Sequence, residues 1–194
     1  MSRTLMTRRG MARLTFGVAG AAVGARTVLA QDAAGVINGA ADRVLAAVKA
    51  GVTDAERERT LTAVFRDSFD IPSIARTVLG RHWNAATEEQ RQRFMEAFER
   101  AEVRAYSNRF KEYGGQSLQV GKVTQNGGAQ LVDAQIIQVN GPPIKLVWEL
   151  VGGRIVDVSV EGISMAITRR SDFNAYIQRN GIDGLIAELK RRSG

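Results

Sequence analysis

A chain of 194 residues, 44% hydrophobic and 24% charged, has the composition of one ordinary globular domain with enough apolar side chains for a core. Its formal charge of +7 overstates its pull on anions: Arg3, Arg8, Arg9, Arg13 and Arg26 lie in the first 30 residues with no acid, and the rest is nearly balanced, which removes the support for a nucleic-acid footprint. The absence of cysteine excludes disulfides, thiolate metal sites and cysteine nucleophiles.

Residues 1–30 have the pattern of a cleaved export signal. Arginines come first, then an apolar run from Leu14 to Ala25, then Val28-Leu29-Ala30 ahead of Gln31. The run is shorter than the roughly 20 residues of a membrane span. Thr7-Arg8-Arg9-Gly10-Met11 is like a twin-arginine signal. Residues 31–194 are then expected to form a single domain.

Within that domain, Val36, Ile37, Ala40, Ala41, Val44, Leu45 and Val48 recur every three to four residues and predict an amphipathic helix ending at Gly51. Thr53 with Glu56 reads as a capping box opening a second helix, with Leu61, Val64, Phe65 and Phe69 on one stripe. Asp70-Ile71-Pro72 starts a third, running through Ile74 and Val78 to Gly80. Thr87 with Gln90 opens the longest, which presents Phe94, Phe98, Tyr106 and Phe110 and is expected to stop at Gly114-Gly115.

The pattern then changes period. A strand over Leu118–Val123 leads into three segments in which apolar and polar residues alternate: Val132, Ala134 and Ile136; Ile144, Leu146, Trp148 and Leu150; Val156, Val158 and Val160. Asn126-Gly127, Asn140-Gly141 and Gly152-Gly153 punctuate them as hairpin turns. A four-stranded curved antiparallel sheet with one apolar face is predicted. Ser171-Asp172 is expected to cap a helix that ends at Gly181, and a short basic-ended helix closes the chain. Helices, then strands, then helices make the fold α+β, with the sheet packed against N-terminal and C-terminal helices.

Catalytic patterns are thin. His82 is the sole histidine and is best read as structural. Asp67 and Asp70 are spaced for acid-base work but equally for capping and solvation. Ser164 has no nucleophile-elbow setting. The glycine pairs lack a phosphate-cradling context. No enzyme, cofactor or metal site is expected.

Several blocks together carry a resemblance: Phe69-Asp70-Ile71 followed by Val78-Leu79-Gly80-Arg81, then Trp83, Ala86-Thr87, Gln90-Arg91 and Phe94, then Tyr106, Glu161-Gly162-Ile163-Ser164-Met165 and Gly181-Ile182-Asp183-Gly184-Leu185. Over about residues 33 to 191 the chain resembles the periplasmic phospholipid carriers of the MlaC, or toluene-tolerance, family. The resemblance implies a carrier that shuttles phospholipid between an outer-membrane lipoprotein complex and an inner-membrane ABC transporter bearing an MCE-domain protein. It also implies an apolar cavity between sheet and helices.

On that reading the lining is Val132, Ala134, Ile136, Leu146, Trp148, Val156, Val158 and Val160 from the strands, with Ile74, Val78, Phe94, Phe98, Tyr106 and Phe110 from the helices. Which face of the strand over 144–151 points inward is left open, because Val147 and Val151 are also apolar. No charged residue interrupts the apolar stripes, so loose headgroup selectivity is expected. Three alternatives stay open: a hopanoid or other isoprenoid lipid, an enzyme of ketosteroid-isomerase-like architecture, and an adaptor with a filled core.

Overall fold

The computed structural model describes residues 21–194, with side chains described from residue 33 onward. Most of the expected export segment therefore lies outside the described residues, and residues 21–30 enter only as helical backbone. Among the described residues no helix is long and apolar enough to cross a membrane.

Among the described residues five helices precede the sheet and one follows it. They are α1 (Ala21–Lys49), α2 (Asp54–Ser68), α3 (Ile71–Leu79), α4 (Arg81–Ala85), α5 (Glu88–Phe110) and α6 (Met165–Ser193). Both expected capping boxes form. The Thr53 hydroxyl accepts from the Glu56 amide while the Glu56 carboxylate accepts from the Thr53 amide, and Thr87 and Gln90 repeat the exchange at α5. Asp70 caps α3, accepting from the Ser73 amide at 3.1 Å, with Pro72 in the first turn. The α5 helix ends at Phe110, short of Gly114-Gly115, and the Tyr113 hydroxyl then donates to the Gln116 carbonyl.

The sheet is an antiparallel meander of β1 (Ser117–Asn126), β2 (Ala129–Ile137), β3 (Ile144–Val151), β4 (Arg154–Val160) and β5 (Ile163–Ser164), in that spatial order. The fold is α+β as expected, with five strands in place of four. The extra strand is two residues long and returns through Glu161 and Gly162, both at positive φ (50° and 80°), as a two-residue hairpin requires. Gly152 and Gly153 make the same kind of turn between β3 and β4. Asn140-Gly141 does not, because Pro142 and Pro143 cannot donate to a ladder and the connection runs from 138 to 143.

A second correction concerns α6. No helix starts at Ser171-Asp172; the cap is Ser164, whose hydroxyl accepts from the Ile167 amide at 3.0 Å. The expected end at Gly181 appears as a kink with φ 71° and ψ 173°, beyond which the helix resumes.

Apolar side chains gather into two cores. One lies among α3, α5 and α6 and contains Ile74, Val78, Leu79, Phe94, Phe98, Phe173, Ile177, Leu185 and Leu189. The other lies where α1 covers the sheet and contains Ala33, Ile37, Val132, Leu150 and Ile155. The half-buried Phe69 touches both.

Candidate functional site

The register settles which strand residues share a face, since partners across an antiparallel ladder point the same way. Leu118, Ile136 and Ile144 form one row, and Val123, Val132, Trp148 and Val158 another. Between them Val120, Ala134, Leu146, Val160 and Ile163 form a row that crosses all five strands. Every residue in these rows is apolar. The opposite face carries Asp133, Gln135, Lys145, Glu149, Asp157 and Ser159. The strand 144–151 thus turns Ile144, Leu146, Trp148 and Leu150 inward, and Val147 and Val151 outward.

One expected position shifts. Glu149 pairs with Asp157 and Leu150 with Ile155, so a bulge leaves Val156 unpaired and breaks the alternation there. Ile155 takes the fully buried place opposite Leu150, and Val156 is only half-buried. The Ile155 carbonyl also accepts from the Asp70 amide at 2.9 Å, which ties the start of α3 to β4.

The structure brings the strand residues together but separates them from the helical ones. Ile74, Val78, Phe94 and Phe98 are buried within the helical core. The Phe94 and Phe98 rings stack at 5.7 Å, and Phe173 meets them edge-on at 5.9 and 6.2 Å, an arrangement that fills space. Tyr106 is 38% exposed, and Phe110 is half-buried at the end of α5. Desolvation by the surrounding protein and the Glu102 carboxylate raise the Tyr106 phenol above its ordinary value. Ala33, Ile37 and Phe69 had no place in the expected lining, yet they pack on the inward face. Their helical spacing is visible in sequence; their partner across the fold is not.

Burial along the long row is greatest at its centre and falls off toward both ends, with Val120 half-buried at the β1 end. Ala134 and Leu146 are buried, Val160 is half-buried, and Ile163 at the sheet edge is 61% exposed. Ile167, one turn into α6, is 56% exposed. The apolar face therefore runs out to solvent at β5.

A cleft of about 250 Å³ lies elsewhere, between α5 and α6, with Glu102, Arg104, Arg169 and Arg192 in its walls, and one of about 130 Å³ is lined by α6 residues, Arg169 and Arg192 among them. Both are below the roughly 300–1,000 Å³ of sites for drug-sized ligands, and neither opens onto the inward sheet face. Arg169 is committed to Glu102 at 2.8 Å, which raises its pKa further.

The residues considered for chemistry have structural partners. His82 Nε2 lies 3.0 Å from Asn174 Oδ1, Asp67 pairs with Arg43 at 2.9 Å, and Asp70 and Ser164 are helix caps. Among the described residues no group of three or more His, Asp or Glu is placed to hold a metal ion.

Known proteins resemble this chain over most of its length. Toluene tolerance protein ttg2D of Pseudomonas putida is 29% identical over 185 residues, 85% of either chain. The intermembrane phospholipid transport system binding protein MlaC of Haemophilus influenzae is 25% identical over 123 residues, 59% of this chain and 58% of that one. The phospholipid-binding protein of Ralstonia solanacearum, solved in complex with a phospholipid, superimposes with a TM-score of 0.73 at 22% identity. That match covers 84% of this chain and 97% of the other, so the two share a fold. Residues 38–191 match the MlaC protein family, and the chain belongs to it.

Proposed function

We propose that this chain is a periplasmic phospholipid carrier that shelters acyl chains against its inward sheet face. In that role it passes lipid between an outer-membrane lipoprotein complex and an inner-membrane ABC transporter bearing an MCE-domain protein. The observation that carries the reading is the apolar row from Val120 to Ile163, buried at Ala134 and Leu146 and open at the β5 edge. A closed core has no need to continue past its last covering helix. A carrier does, because its ligand must leave.

The energetics agree. Each buried methylene is worth about 0.8 kcal/mol, so a two-chain lipid cannot cross water exposed, yet an apolar protein face offers nearly what the bilayer offers. Transfer then runs close to isoenergetic once ordering costs are included. Two cores joined by the half-buried Phe69 leave a seam along which the helices can part from β2, β3 and β4 as chains enter. On this reading Val132, Ala134, Ile136, Leu146, Trp148, Val158 and Val160 meet the ligand, and the helical Phe94 and Phe98 hold the scaffold.

Lipid extracted from protein expressed with its own leader tests the proposal by mass spectrometry. Two-chain phospholipid near one per protein, with more than one headgroup, is the expected result. An isoprenoid alone would overturn the phospholipid assignment, and protein free of lipid would overturn the carrier.

A further inference from the structure

The Trp148 indole Nε1 is buried, has no hydrogen-bond partner among the described residues, and sits on the inward sheet face. Such an atom is unusual there. An indole nitrogen can only donate, and a buried indole ordinarily finds an acceptor, because desolvating the N–H without a replacement bond is costly. Only two other buried side-chain polar atoms are unpartnered among the described residues, Arg57 Nε and Ser107 Oγ, and neither is on the sheet. Trp148 lies between Val132 and Val158 across the ladder, and Phe69 stands edge-on to its ring at 6.4 Å. Among the described residues the row of Val123, Val132, Trp148 and Val158 is apolar throughout, so the surroundings suit a neutral acceptor and penalise an anion.

We infer that the Trp148 indole N–H is the polar anchor for the bound lipid and donates a hydrogen bond to an ester carbonyl at the glycerol backbone. This rests on the carrier reading and deepens it, since it sets how far the chains enter: the ester linkages stop at the middle of β3 and the methylenes run along the apolar rows. It also fits loose headgroup selectivity. The anchor reads a group shared by diacyl glycerolipids and leaves the headgroup beyond it unread.

Native mass spectrometry of delipidated full-length protein provides the test, with diacyl phosphatidylglycerol competing against its dialkyl ether analogue. Wild type should hold the diester at least fivefold over the diether, and Trp148→Phe, which keeps an aromatic ring beside Phe69, should bring that ratio close to one. A wild-type ratio of one, or a Trp148→Phe ratio equal to wild type, would overturn the anchor while leaving the carrier intact. Loading neither lipid on wild type would overturn the carrier reading itself. Diacylglycerol, which has esters and no phosphate, should show the same sensitivity to Trp148→Phe; sensitivity confined to phosphate-bearing lipids would overturn the ester assignment. An NMR measurement avoids dependence on the folding of the variant. In wild type the Trp148 indole proton should move downfield with the diester and stay in place with the diether, and equal shifts with both would overturn the proposal.

Discussion

Asp157 illustrates how a single carboxylate on the outward face serves the fold. It accepts from the Ser164 hydroxyl, from the Ala166 amide at 2.9 Å and from the Val158 amide at 2.8 Å, and so gathers the end of β4, the β5 return and the first turn of α6. A carboxylate at a helix N-terminus also meets the positive end of the helix dipole. Alternation alone reads Asp157 as an ordinary wet-face residue whose loss would matter little. We expect Asp157→Ala to lower unfolding free energy by about 1–3 kcal/mol, with Asp157→Asn losing less because one acceptor oxygen remains. Urea denaturation checks this, and two variants with identical midpoints to wild type would contradict it. Asp133, exposed and with no such bonds, serves as the control.

At the scale of the element, α6 depends on one glycine. Gly181 has φ 71° and ψ 173°, a combination open almost solely to glycine, and it divides a 29-residue helix into two arms that both reach the helical core through Phe173, Ile177, Leu185 and Leu189. A straight helix of that length could not wrap α5. A Cβ added at Gly181 would meet no atom within 4 Å, so a substitution there probes backbone strain free of clash. Gly181→Ala should therefore cost about 1–3 kcal/mol, read as a lower thermal midpoint. An unchanged midpoint would mean that the kink carries no energetic weight.

For the whole molecule, the division into two cores separates stability from binding. Phe98 packs against Phe94 and Phe173 in the helical core, where a carboxylate would be cut off from solvent; Phe98→Asp should cost more than about 4 kcal/mol and abolish cooperative unfolding. Val158 is half-buried on the inward sheet face. Val158→Asp should keep the circular dichroism of wild type and co-purify with at least tenfold less lipid. Lipid retention at the wild-type level in that variant would remove the sheet face from the binding site. The two substitutions are equivalent in a pattern of apolar residues, and only their places in the fold tell them apart.

Local chemistry is what the chain announces on its own. The Thr53 and Thr87 caps, the proline entry to α3, the Gly152-Gly153 turn and the alternation in β2 and β3 all depend on residues within about four positions of one another, so each is readable in the sequence. Their order also carries the family likeness. The covering of the inward face by Ile37, the bridge between Phe69 and Ile155, the burial of Phe94 and Phe98 away from the sheet and the bulge at Val156 were decided only by tertiary structure. Each of those depends on segments far apart in the chain competing for the same apolar surface, and periodicity records that a residue is to be buried without recording against what.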